Sequence, residues 1–345
     1  VPAAVLPGAD IMSYTITLSP SGRSFRAEAG ETILEAALRS GLSVNYHCTN
    51  GSCGSCRARI IDGEVSDHLH HDFTFKGAER NLPMLLLCRA IPAGDMVIEM
   101  QEALSADDIP QQQITATVTR LDQLSEDIAE LQLRTPRSQT LRFLAGQHVS
   151  LQVGDLPLKN KSIASCPCNG RDLQFHFKRS AGDSFTRAVF DGLKLKDKVE
   201  LVGPDGEFVL DEHSGQNMMF IAYETGFAPL KSLIEHAFSL ELPATIQLLW
   251  FARNDSGHYQ KNYCRAWKDA LENFDYKLLT LDEQAYEAGA GAEKLQQAIN
   301  RIQPYVERLE GPDAYVAVPE HLHEPIRNTL KAGSVRSIRI ISDNL

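Results

Sequence analysis

Apolar and polar positions alternate in short runs over the first hundred residues, as in YTITLSP, SFRAEAG, RARIIDGEV and MVIEM, a period of two that predicts half-buried strands. One stretch departs from it: ETILEAALRSG sets Ile33, Leu34, Ala37 and Leu38 at helical spacing and stops at Gly41. Residues 12–102 therefore read as one compact α+β unit. The acidic, proline- and glutamine-bearing ALSADDIPQQQ breaks both periods, so residues 103–113 read as a linker. Alternation then dominates residues 114–213 (ITATVTRL, IAELQLRT, HVSLQV, LQFHFKRS, KVELVGP), and closely spaced strands of this kind suggest an antiparallel β-barrel. Residues 214–345 instead alternate apolar strands with amphipathic helices, from MMFIAY and APLKSLIEHAF to SIRIIS. That pattern predicts an α/β Rossmann-like parallel sheet covered on both faces, with its ligand at the carboxyl ends of the strands. No internal repeat or low-complexity tract interrupts this order.

Composition narrows the choice of partners. The 345 residues suffice for two or three domains, and 43% are hydrophobic. The formal charge of −11 argues against nucleic acid and anionic membranes and suits docking to a basic protein. No apolar run approaches the roughly 20 residues of a membrane span, and VPAAVLPGAD lacks the basic start of a secretory signal, so a cytoplasmic protein is expected. Met12 is a candidate natural start, with residues 1–11 a variable extension.

Seven cysteines, an odd number and clustered, argue against a disulfide framework. Cys48, Cys53 and Cys56 lie in YHCTNGSCGSCRARI as C-x4-C-x2-C, and Cys88 follows much later, which is the plant-type [2Fe–2S] spacing. Gly51 and Gly54 let backbone N–H groups approach the sulfurs. Zinc is the competing reading, but zinc sites usually present two C-x2-C pairs and this chain has one.

With these thiols in place, the chain from Met12 to Leu345 resembles the reductases that fuse a plant-type, β-grasp ferredoxin to a ferredoxin–NADP-reductase-like module. These include reductase components of bacterial oxygenases and the CDP-6-deoxyglucoseen reductase type. The further motifs are FLAGQHVSLQV, KSIASCP, GPDGEF, ETGFAPLKSLIEHA and the SD near the C-terminus. The resemblance implies that NAD(P)H gives a hydride to FAD on the barrel and that the cluster then passes single electrons to a protein acceptor such as an oxygenase.

The cofactor motifs depart from the family's pattern. Where the family has Arg-x-Tyr-Ser for FAD, this chain has Lys159, Asn160, Lys161 and Ser162. Lysine keeps a charge but has neither a bidentate fork nor an aromatic face. The family's Gly-Gly-Thr-Gly turn for the nicotinamide dinucleotide is Tyr223, Glu224, Thr225 and Gly226, in which a tyrosine crowds the approach and a glutamate repels phosphate. Its Cys-Gly-Pro is Ala317, Val318 and Pro319, and the chain ends SDNL without a closing aromatic. Lys159, Lys161, Ser162, Thr225 and Gly226 remain the candidate cofactor contacts, with Tyr223 or another ring covering the flavin. Two readings stand: a divergent reductase, or a flavin- or NAD-free ferredoxin-like carrier or regulatory subunit on a reductase scaffold.

Weaker signals take structural readings. His68, His70 and His71 suit a solvated loop more than a metal site or a partner contact, and Cys166 and Cys168 suit two incidental buried thiols more than a redox pair. GAGAEK at Gly289 reads as a turn before a helix, and Arg253 as either a ribose-phosphate contact or a surface arginine.

Overall fold

Strand and helix registers gather into four sheets in a computed structural model that describes residues 12–103, 105–281 and 291–342. The chain divides into two compact units, Val1–Leu104 with Arg137–Thr140, and Ser105–Pro136 with Leu141–Leu345.

In the first unit, β1 (Ser13–Ser19), β2 (Ser24–Glu28), β3 (Arg57–Asp62), β5 (Met84–Leu86) and β7 (Met96–Glu99) form a sheet of order β2-β1-β7-β3-β5. The strands β4 (Val65–His68) and β6 (Ala90–Pro92) pair separately. The helix α1 (Ile33–Arg39) starts at Thr32 because a capping box closes there. Thr32 Oγ1 accepts the Glu35 N–H at 3.3 Å, and the Glu35 carboxylate accepts the Thr32 N–H at 3.1 Å. Ile33, Leu34, Ala36 and Ala37 turn inward from α1 onto Ile16, Leu18 and Ile98 of the sheet.

The second unit begins with a six-stranded antiparallel near-barrel sheet. Its strands β8 (Gln112–Gln123), β9 (Ile128–Arg134), β10 (His148–Gln152), β11 (Lys159–Ser162), β12 (Asp172–Lys178) and β13 (Lys198–Asp205) take the order β11-β10-β13-β8-β9-β12. The outer strands meet just past β11, where the Ala164 N–H donates to the Gln174 carbonyl at 2.8 Å. Phe175, Phe177, Val149 and Leu201 fill the interior. The short helix α2 (Ser184–Arg187) is capped by Asp183, whose carboxylate accepts the Phe185 and Thr186 N–H groups.

Next come β14 (Met218–Tyr223), α3 (Phe227–Ser239), β15 (Ile246–Ala252), α4 (Lys261–Ala270), β16 (Phe274–Thr280), α5 (Gly291–Ile299), α6 (Gln303–Val306), β17 (Asp313–Ala317), α7 (His323–Ala332) and β18 (Ser337–Ile341). All five strands are parallel, in the order β16-β15-β14-β17-β18. Every residue of β14 and β15 is buried, as a sheet with two covered faces requires. Because the chain leaves β14 toward β15 and later returns to its other side as β17, the strand order reverses at β14. The crevice of such a sheet opens at the carboxyl end of that strand.

Buried polar contacts fasten the near-barrel to this sheet. Lys231 of α3 donates to the Gln174 side chain (3.0 Å) and the Ala164 carbonyl (3.3 Å), and Ser232 Oγ donates to the Ser165 carbonyl at 2.8 Å. At Cys166 and Cys168 the expectation of two free thiols is corrected. They form a disulfide across a 3-10 turn that starts at Pro167, with Cα atoms 5.2 Å apart, because the turn brings both side chains to one side. Gly289 lies outside the described residues, as do Asp343, Asn344 and Leu345 of SDNL and residues 1–11. His68 closes the short strand β4 instead of standing on an irregular loop, and both it and His70 are exposed. No helix among the described residues is long and apolar enough to cross a membrane.

Candidate functional site

The loop between α1 and β3 carries Cys48, Cys53 and Cys56, and the turn between β5 and β6 carries Cys88. Cys48, Cys56 and Cys88 are buried and Cys53 is half-buried. The thiols sort into two pairs. Cys56 Sγ and Cys88 Sγ are 3.3 Å apart, while the Cys53 N–H donates to Cys48 Sγ at 3.4 Å. The Ser55 N–H in turn donates to Cys53 Sγ at 3.4 Å. Tight turns hold the loop: the Leu87 N–H donates to the Cys56 carbonyl (3.0 Å), and Asn50 Oδ1 accepts from both the N–H and the hydroxyl of Ser52. Gly54 has φ +74°, and a Cβ there would stand 2.0 Å from the Phe73 ring, so the turn needs glycine.

Burial raises the Cys48 thiol, but hydrogen bonds from Cys53 and Ser52 and from the backbone near Asn50 outweigh it and bring it down to about 6. Cys56 is lowered by its hydrogen bond with Cys88, and Cys88 is raised by that same bond. Among the described residues no three histidine, cysteine or acidic side chains converge on a single ion position. Two pairs of sulfurs, with N–H groups aimed at them, have the donor chemistry of a cluster containing two irons, whereas a lone zinc ion needs four ligands around one point. Arg137–Thr140 also belongs to this unit: the Thr140 N–H donates to the His47 carbonyl at 2.7 Å, and the Thr49 N–H to that of Arg137 at 3.3 Å. Nothing in the alternation of residues 114–213 signals that contact.

The second unit holds a cavity of about 480 Å³ at the carboxyl ends of β14 and β17. Lys159, Lys161, Lys178 and Arg179 line it from the near-barrel, and Tyr223, Glu224, Thr225, Arg253, Pro319 and His321 from the parallel sheet. Lys159 pairs with Asp183 at 3.0 Å. Lys161 is only 7% exposed, with its ammonium 5.4 Å from the centre of the Phe177 ring, a cation–π contact that offsets part of its desolvation. Arg179 makes a two-pronged pair with Asp191 and lies over Phe190. Of the candidate contacts, Lys159, Lys161 and Thr225 meet on this wall, whereas Ser162 and Gly226 are buried outside the lining.

Gly226 is fixed by packing, because a Cβ there would lie 2.0 Å from the Ala317 carbonyl oxygen. Tyr223 is packed with Met219, Ile221, Leu249 and Phe251 on one face of the sheet, so it is not a ring free to cover a flavin. Trp250 stacks on Phe227 with ring centres 4.1 Å apart and donates its indole N–H to the Glu224 carbonyl, which makes it a support of the turn. Lys178 and Asp183 escaped the sequence reading, since they continue the ordinary polar punctuation of strand ends. The cationic wall has the donor chemistry for a phosphate-bearing cofactor such as FAD.

The fold and the paired thiols define an electron-transfer flavoprotein reductase with an iron–sulfur domain. Residues 16–93 match the 2Fe-2S iron-sulfur cluster binding domain, and residues 115–210 match the oxidoreductase FAD-binding domain. The chain is 30% identical over 268 residues to "Phenol 2-monooxygenase, reductase component DmpP" of Pseudomonas sp. (strain CF600), covering 77% of this chain and 75% of that protein. It is 29% identical over 270 residues to "CDP-6-deoxy-L-threo-D-glycero-4-hexulose-3-dehydrase reductase" of Yersinia pestis, covering 77% and 79%. The crystal structure of Amycolatopsis cytochrome P450 reductase GcoB superimposes with a TM-score of 0.58 at 26% identity, covering 96% of this chain and 98% of that one. The chain belongs to the family of reductases that join a plant-type ferredoxin to an FAD-binding, ferredoxin–NADP-reductase-like module.

Proposed function

We propose that this protein is a cytoplasmic, NAD(P)H-dependent reductase that delivers single electrons through a [2Fe–2S] cluster to a partner oxygenase or a similar acceptor. The observation that carries this reading is the sorting of four cysteines into two pairs inside a ferredoxin fold. Cys48 with Cys53, and Cys56 with Cys88, are its cluster ligands. Residues 12–102, 114–213 and 214–345 act as ferredoxin, flavin and nucleotide domains, joined through 103–113. Bound FAD would supply the conversion of an electron pair into single electrons.

The chain's own residues do the rest. N–H groups of Cys53 and Ser55 stabilise sulfur-centred negative charge, which favours reduction of a cluster held there. Lys159 offers positive charge to a diphosphate, already oriented by Asp183, while Lys161 stands over the Phe177 ring where the family carries an aromatic. The net charge of −11 favours an acceptor with a basic docking face.

The test is the visible spectrum of anaerobically purified protein, with iron and acid-released flavin quantified, before and after NADH or NADPH. Iron with stoichiometric FAD, bleached by either nucleotide, is the expected result. Iron without flavin, reducible by dithionite alone, would establish a ferredoxin-like carrier on a reductase scaffold in its place.

A further inference from the structure

Where the first βα turn of a parallel sheet receives a dinucleotide, its residues are small so that backbone N–H groups approach a diphosphate. In this chain that turn holds a carboxylate. Glu224 follows β14, is 4% exposed, and adopts φ +43°, a left-handed conformation uncommon outside glycine. The conformation aims its side chain into the crevice, where two neighbours fix it and a third holds its backbone carbonyl. Lys178 of β12 pairs with Oε2, and the Arg253 N–H donates to Oε1 at 3.4 Å. Trp250 Nε1 donates to the Glu224 carbonyl at 3.1 Å.

A second cavity of about 500 Å³ adjoins the first and is lined by Glu126, Asn254, Ser256 and Gly257. Both cavities share Asp127, Arg179, Glu224 and Arg253, so the Glu224 side chain belongs to the wall common to the two. An anionic ligand long enough to need both spaces meets a buried carboxylate on that wall. It also finds the Lys178 ammonium already engaged with the carboxylate.

We infer that Glu224 is an internal latch on the nucleotide site: its carboxylate, held by Lys178 and the Arg253 N–H, competes with the diphosphate of a nicotinamide dinucleotide, which binds only when that pair opens. The inference rests on the reductase reading. It adds that the unmodified chain holds NAD(P)H weakly by an element of its own, and that the Glu224 carboxylate sets the affinity.

The test is calorimetric binding of NAD+ and NADP+, which involves no turnover, to the full-length, flavin-reconstituted wild type and to Glu224→Gly and Glu224→Gln. Glycine suits the positive φ, and glutamine keeps the side-chain volume if the glycine variant folds poorly. The expected result is at least a tenfold lower Kd for one of the two nucleotides in Glu224→Gly, with Glu224→Gln intermediate and thermal midpoints unchanged. Equal affinity in all three proteins, whether tight or undetectable, overturns the latch.

NADH and NADPH reduction of the same samples separates this failure from failure of the reductase reading. Wild type bleached by nucleotide, with variants binding no more tightly, removes the latch and leaves the reductase. Binding and bleaching confined to the variants establish the latch on a reductase held in check. No binding and no bleaching in any protein removes both.

Discussion

The cysteine loop of the first unit and the cavity of the second do the same kind of work on different terms. In the loop, the thiols occupy the plant-type spacing without a substitution, and the small residues between them remain. In the cavity, the frame persists, with Gly226 packed on Ala317 and α3 fastened to the barrel, yet the groups facing the ligand space have become lysines and a glutamate. Ligation of iron in a cluster admits a short list of donors, thiolate above all, whereas a diphosphate or a flavin ring can be held by several donor sets. A substitution of a loop cysteine is therefore expected to remove iron, and one in the cavity to change cofactor affinity by degrees.

The largest effect expected is Cys88→Ala, which removes one sulfur of the Cys56–Cys88 pair and leaves no donor atom in its place. Iron and the visible absorption of the cluster should be lost in the purified variant while FAD binding survives, and a normally coloured variant would break the contrast between the two regions. Next is Gly226→Ala. Its Cβ would meet a backbone carbonyl that cannot swing aside, so a loss of about 3 kcal/mol or more is expected in urea unfolding. Retention of full stability would mean that β17 does not press on that turn.

A third effect is acid sensitivity of the seam between the near-barrel and α4. Glu130 accepts from Gln260 (2.6 Å) and Gln132 (2.8 Å) and faces His176, whose other ring nitrogen meets the Tyr259 hydroxyl at 2.7 Å. Burial lowers His176 below 6.5 despite the pull of Glu130. Burial raises Glu130, but the hydrogen bond and charge of His176 and the two amides bring it down to about 2. Both groups bind fewer protons when folded than when unfolded, so both contribute stability that acid removes. The loss should begin as pH falls below 6.5 through His176, then continue from 4.5 toward 2 through Glu130, and reach about 3 kcal/mol for the carboxylate. Glu130→Gln should flatten the lower limb of the stability curve, and an unchanged limb would assign it to other carboxylates.

A smaller change should follow Lys161→Tyr, which returns an aromatic face to the wall. FAD affinity, read by fluorescence quenching, should rise by up to about tenfold, the size of one stacking contact. Weaker binding would show that the cation itself holds the cofactor. The smallest is Thr32→Ala, which opens the capping box of α1 and should cost about 1 kcal/mol while leaving the iron content unchanged. Loss of iron in that variant would tie the helix start to the cluster loop.

The amino-acid sequence by itself determined the strand and helix registers, the change from antiparallel to parallel organisation and the ligand spacing of the cysteines. Each of these is a short-range property: period two or 3.6 sets which face is buried, and a C-x4-C-x2-C loop brings its own thiols together. Tertiary structure alone decided that Arg137–Thr140 joins the cysteine loop, that Cys166 and Cys168 close a disulfide, and that Tyr223 belongs to the core. It also decided that Lys178 meets Glu224 across 46 positions. That pairing depends on how the end of one sheet abuts the crevice of another, and no local periodicity encodes it, because a lysine at a strand end reads the same whether it faces water or a buried carboxylate.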